Sequence, residues 1–113
     1  MSPLIIEAVD VVKIWGKWCG PNWPAGQKIP AKDYDWEKDP DPSVRDDLDA
    51  ACKRHDFVYG TQGTKAQANA DKLLEKEARR IRSELKRKGK GGSKKAIAAN
   101  RVITGMYFKR KWS

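Results

Sequence analysis

Residues 15–42, "WGKWCGPNWPAGQKIPAKDYDWEKDPDP", limit what this chain can become more than any other stretch. Prolines 21, 24, 30 and 40 and glycines 16, 20 and 26 rule out a regular helix across it. Four of the five tryptophans lie here as well, namely Trp15, Trp18, Trp23 and Trp36. That is too much aromatic surface for a disordered segment. A long ordered stretch without regular structure usually has a function. The chain is therefore expected to place helices on either side of one ordered, functional loop.

The flanks carry helical signals. Residues 2–14, "SPLIIEAVDVVKI", read as a first helix, with Ser2 as N-cap and Pro3 in the first turn. Residues 43–60 read as a second, capped by Ser43, with Asp46 and Asp47 near the positive end of its dipole and Gly60 and Gly63 as the stop. In it Leu48, Ala51, Cys52, His55, Asp56 and Tyr59 recur at three- and four-residue steps and share one face. Residues 64–88 read as a third helix, with the apolar stripe Ala70, Leu74, Ala78, Ile81 and Leu85. Asp71 falls on that stripe's side, where a carboxylate is costly unless it is paired. Residues 86–95, "KRKGKGGSKK", read as a basic flexible linker, and 94–112 as a shorter final helix. No internal repeat is visible. The expected fold is all-α in one domain, with two long antiparallel helices, 43–60 and 64–88, joined by a short turn.

Composition narrows the function classes. The chain has 113 residues, 39% of them hydrophobic, which suits one small globular domain. No apolar run approaches the roughly 18 residues a membrane span needs. The opening "MSPLIIEAVD" lacks a basic leader and does not read as a signal peptide, so an exported protein would need another route or prior processing. Net charge is +9 and uneven: residues 1–71 hold 9 basic and 12 acidic side chains, residues 72–113 hold 15 and 3. The C-terminal part should seek polyanions, either nucleic acid or anionic lipid.

The chemistry concentrates in "DDLDAACKRHDFVYG", residues 46–60, which holds the only histidine. With the two helices antiparallel, His55 and Asp71 can face one another. A histidine held by a buried aspartate is oriented to take a proton from water. Asp56, beside it, could bind a hard cation such as Ca²⁺, which wants six to eight oxygens, many of them backbone carbonyls. The glycine-bearing "WGKWCGPNW" is a loop that could supply them. Cys19 and Cys52 could be a bridge, two free thiols or half a metal site, but the absence of CxxC and the single histidine argue against structural zinc. If they pair, they close a loop of about 33 residues, worth roughly 3–4 kcal/mol, and point to an oxidising compartment. Such a bridge would hold the loop one helical turn before His55.

These two motifs together resemble the secreted, calcium-dependent phospholipase A2 superfamily. Its calcium loop reads aromatic-Gly-x-aromatic-Cys-Gly-x-Gly-Gly, matched by Trp15, Gly16, Trp18, Cys19 and Gly20. Its catalytic helix reads Asp-x-Cys-Cys-x-x-His-Asp-x-x-Tyr, matched by Asp49, Cys52, His55, Asp56 and Tyr59. The resemblance spans roughly residues 14–75. Asn22 and Trp23 stand where the family usually has two glycines, and Ala51 replaces a cysteine. Few cysteines remain, which is closer to the minimal viral, fungal and bacterial branches.

The resemblance implies a role for each matched residue. His55 would be the general base and Asp71 its orienting carboxylate, with Tyr59 bonded to Asp71. Asp56 would bind Ca²⁺, together with the carbonyls of Trp18, Gly20 and Asn22. The Gly20 N–H would help hold the developing oxyanion, and Cys19–Cys52 would be the loop-to-helix bridge. The activity implied is hydrolysis of the sn-2 ester of glycerophospholipids, with no acyl-enzyme and so no need of a GxSxG serine. The basic tail and Trp23, Trp36 and Trp112 would then engage an anionic bilayer, and "MYFKRKW" could lie in the interface. A secreted or delivered toxin with an inhibitor or immunity partner fits this picture. The alternatives are a nucleic-acid-binding domain or nuclease, or an inactive phospholipase-like module kept for membrane or partner contact.

Overall fold

A computed structural model describes residues 13–20, 24–27, 29, 31–36 and 43–112, with side chains as far as 109. The described chain is mostly helical: α1 spans Asp47–Thr61, α2 Thr64–Arg87 and α3 Lys94–Trp112. Short 3-10 turns at Pro24–Gly26 and Ala31–Asp33 pack on α1. No strand ladder forms among the described residues; an isolated bridge joins Trp15 and Cys19. No described helix is long and apolar enough to cross a membrane.

The expected helix 2–14 lies outside the described residues except for its last two positions. Lys13 and Ile14 are not helical. The amide of Ile14 is bonded to the Cys19 carbonyl at 2.9 Å, so it already serves the tight turn that follows.

Helix α1 begins later than the sequence suggested. Asp46, not Ser43, is the N-cap, and its carboxylate accepts from the Asp49 amide at 3.0 Å. Two acids in the first turn, Asp47 and Asp49, reinforce that end. Gly60 does not stop α1; the helix runs through it to Thr61. A Cβ at Gly60 would fall on the Trp36 indole nitrogen and 2.6 Å from the Ala31 carbonyl, so this glycine exists for close packing. Gly63 is the N-cap of α2.

The presumed flexible linker 86–95 is a shorter, ordered turn. Gly89, at φ 74°, ends α2. Its amide reaches the Lys86 carbonyl at 3.1 Å and the Lys90 amide reaches Leu85 at 2.7 Å, the paired bonds of a Schellman motif. Ser93 then caps α3, its hydroxyl accepting from the Ala96 amide at 3.2 Å.

α2 packs against α1 on one side and α3 on the other. Pairing of Arg82 with Asn100 at 2.8 Å and of Asp71 with Lys109 at 3.3 Å makes α3 antiparallel to α2. Ala78 and Ala99 are fully buried, so these small side chains let the two helices approach closely. Leu74 and Ile81 from α2 and Val102 and Ile103 from α3 complete that layer. A second layer, Trp18, Cys19, Tyr34, Leu48 and Cys52, seats the irregular segment on α1.

Candidate active site

Three acids and one histidine on one face of α1 and the facing side of α2 organise the site. His55 Nε2 lies 2.7 Å from Asp71 Oδ1. An ionised carboxylate can only accept, so the Nε2–H is the donor in this bond. The Tyr59 hydroxyl lies 2.8 Å from both Asp71 oxygens, and its ring stacks on His55 with centroids 4.6 Å apart. Helix register had placed His55 opposite Asp71, and the resemblance implied the Tyr59 bond; the structure brings the three side chains into contact. It adds Lys109 of α3, whose Nζ approaches Asp71 Oδ1 at 3.3 Å and also contacts the Tyr59 hydroxyl. Burial holds the Lys109 ammonium below the usual lysine range.

Asp56 sits beside this group, its Oδ1 3.7 Å from His55 Nδ1, too long for a hydrogen bond. Its Oδ2 is buried and has no partner among the described residues. Burial therefore raises its carboxyl to about 6; His55 opposes that shift and Asp49 adds to it. A buried carboxylate oxygen without a donor is rare unless an ion, a water or a catalytic role accounts for it.

The neighbouring loop is fixed from two directions. Cys19 and Cys52 form a disulfide, with Cα atoms 5.1 Å apart. Asp49, fully buried on α1, accepts from the amides of Lys17 at 3.1 Å, Trp18 at 2.9 Å and Arg45 at 2.8 Å. Gly16, at φ 60°, lies so close to that carboxylate that any side chain would overlap it. Asp46 adds a further hold, accepting from the Trp15 indole at 3.0 Å. The anchoring work of Asp49 was missed at the level of sequence, although a carboxylate three residues before Cys52 on the same face was a usable signal.

The loop carbonyls divide into two sets. Those of Lys17 and Cys19 accept backbone bonds from Gly26 and from Ile14 and Trp15. Those of Trp18 and Gly20, and the Gly20 amide, bond to no described residue. Gly20 has φ 144°, a conformation that side chains resist. Asn22 lies outside the described residues, as does Trp23. No cluster of three or more His, Cys, Asp or Glu side chains among the described residues is placed to hold a metal. A hard-cation site built from one carboxylate and backbone carbonyls would not be of that kind.

The chain matches no family model, no curated protein and no solved structure. The site therefore rests on its own geometry.

A cleft of about 690 Å³ opens between α1 and α2, lined by His55 and by Trp36, Phe57, Val58, Leu73 and Leu74 among mostly apolar neighbours. Phe57 and Leu73 are about half exposed, at 46% and 53%. Trp36, expected to engage a membrane, is partly buried in an aromatic cluster and lines the cleft. It stacks on Trp18 at 5.4 Å, meets Tyr34 and Phe57 edge-on, and donates its indole N–H to the Ala31 carbonyl at 3.0 Å. The Trp112 side chain lies outside what the structure describes.

Proposed function

We propose that this chain is a calcium-dependent phospholipase A2 that hydrolyses the sn-2 ester of glycerophospholipids at a membrane surface. The observation that carries the reading is a buried Asp56 oxygen, unpartnered among the described residues, next to a histidine bonded to a partly buried aspartate. In this reading the two antiparallel helices carry the active site. The disulfide-bound segment is the calcium loop, and the C-terminal helix closes the fold.

The residues fit a Ca²⁺ ion. Asp56 offers an oxygen that needs a positive partner, and the carbonyls of Trp18 and Gly20 bond to no described residue. These would hold the ion, with Asn22 as a further carbonyl ligand. When bound, Ca²⁺ supplies Lewis-acid polarisation of the ester carbonyl and charge for the phosphate. The chain's own residues do the rest. Asp71 holds Nε2–H, so His55 presents Nδ1 to take a proton from water. Tyr59 keeps the Asp71 carboxylate from turning. The Gly20 amide is available to the developing oxyanion. The apolar cleft beside His55 has the volume and lining to take an acyl chain.

The exposed cations at the α2–α3 turn, Lys86, Arg87, Lys88, Lys90 and Lys94, suit an anionic bilayer. The same cluster is what favours the second reading, nucleic-acid binding, since phosphates of either origin attract it. The disulfide suits an oxidising location, so the enzyme would act after secretion or delivery and could meet an inhibitor or immunity protein there.

Fatty-acid release from phosphatidylglycerol–phosphatidylcholine vesicles, with Ca²⁺ and with excess EGTA, tests the reading. Release should need calcium and fall about 10²–10⁴-fold in His55→Ala. Folded, oxidised, vesicle-bound protein that releases no more than the variant would refute the enzyme and leave a binding module.

A further inference from the structure

We propose that Lys109 is a positioning residue for the His55–Asp71 pair, holding the aspartate from the third helix. This rests on the reading of His55 as the general base.

The argument starts from one carboxylate shared by three helices. Asp71 belongs to α2, His55 and Tyr59 to α1, and Lys109 to α3. Oδ1 takes His55 Nε2 at 2.7 Å, the Tyr59 hydroxyl at 2.8 Å and Lys109 Nζ at 3.3 Å. Oδ2 takes only Tyr59 among the described residues, at 2.8 Å. Lys109 also donates to the Tyr59 hydroxyl and lies 3.8 Å from the centre of its ring. Tyr59 therefore accepts from Lys109 and donates to Asp71, and such chained bonds strengthen one another. Without the lysine, Asp71 is a mostly buried charge met only by neutral donors. With it, the charge is balanced and the carboxylate is held from both neighbouring helices.

Lys109 is not needed to keep α3 in place. Lys95 ties the start of α3 to Asp46 and Asp47 at 3.5 and 2.6 Å. Arg82 holds its middle through Asn100, and Ala99, Val102 and Ile103 bury its inner face. A side chain that is 40% exposed at the far end of a well-anchored helix, yet turned onto the one carboxylate that holds the histidine, acts on that carboxylate.

The test uses Lys109→Met and Lys109→Arg in the full chain, with two readouts. His55 is the only histidine, so its Nε2–H proton signal is unambiguous in an NMR spectrum. Lys109→Met should speed solvent exchange of that proton by about tenfold, because the carboxylate that shields it is freed. It should lower kcat on vesicles by about tenfold with KM unchanged, as expected for loss of an interaction that serves only the chemical step. Lys109→Arg should restore both to within about threefold. A Lys109→Met protein with wild-type exchange and wild-type kcat would overturn the proposal, and so would one whose losses Lys109→Arg fails to restore. If the wild type releases no fatty acid, the hydrolysis reading has failed, and the exchange measurement still decides whether Lys109 holds the pair.

Discussion

A carboxylate on the buried face of a helix must find donors or lose its charge, and three aspartates here solve that problem differently. Asp49 spends its charge on backbone amides of the loop and of Arg45. Asp71 spends it on His55, Tyr59 and Lys109. Asp56 has an oxygen with no partner among the described residues, and burial raises its carboxyl to about 6. The linkage has a definite sign. A folded-state value of about 6 against 3.8 means protonation stabilises the fold, fully below about pH 3.8, and that contribution is lost as pH rises through 6. Above 6 the ionised group costs on the order of 3 kcal/mol unless a cation meets it. Calcium should therefore raise the melting temperature at about pH 8 and much less at about pH 5. Asp56→Asn should remove that calcium response and, in EGTA at about pH 8, melt above the wild type. Thermal melts in calcium and in EGTA at both pH values check this, and an equal calcium shift at both would count against Asp56 as the ligand.

At the scale of elements, α1 is a mounting rail. Its N-cap Asp46 also holds Trp15, its first two turns hold the loop through Asp49 and Cys52, and its third presents His55 and Asp56. Its last turn receives the aromatic cluster, where Gly60 leaves room for Trp36 and Ala31. In an exposed helix, Gly→Ala stabilises by about 1 kcal/mol. Here the sign should reverse: Gly60→Ala should cost roughly 1–3 kcal/mol, since Trp36 must shift and its bond to Ala31 must stretch. Urea unfolding measures it, and a stabilised variant would show that the cluster yields easily. The disulfide and Asp49 hold the loop by independent means, the one through Cys52 and the other through the amides of Lys17 and Trp18.

Over the whole molecule, charge is sorted. Many of the cations after residue 72 are already engaged: Arg79 with Glu75, Arg80 with Glu77 and Glu84, Lys95 with Asp46 and Asp47, Lys109 with Asp71. Lys86, Arg87, Lys88, Lys90 and Lys94 form no ion pair among the described residues and stand exposed at the turn between α2 and α3. Asp71 lies 17 positions before Lys88, so about 26 Å of helix separates the patch from the site. Binding and chemistry should then be separable. Lys86→Glu, Lys88→Glu and Lys90→Glu together should weaken binding to phosphatidylglycerol vesicles by about tenfold or more. The same variant should leave hydrolysis of dispersed short-chain lipid near wild type. Vesicle sedimentation and that assay check the two halves; unchanged vesicle binding would move the membrane contact elsewhere.

Local pattern was enough for α2 and α3 and for the facing of His55 and Asp71, whereas the bond of Tyr59 to Asp71 was legible only through the phospholipase resemblance. His55 and Asp71 sit on two consecutive helices joined by the two residues Gln62 and Gly63, so three- and four-residue spacing fixes their faces. The bounds read from composition, 64–88 and 94–112, fall within a residue of α2 and α3, but the capping by Gly89 and Ser93 went unread because both lay in what was expected to be a flexible linker. Packing decided the rest. The start of α1 went to Asp46, the aspartate that also reaches Trp15, 31 positions away. Gly60 became a contact point, not a stop, because Trp36 arrives from a separate segment. Trp36 itself went to the aromatic cluster, and Lys109 to Asp71 across 38 positions. A contact made across that much chain leaves no periodic trace in the sequence, since its register is set by how α3 docks on α2 and by no pattern within either helix.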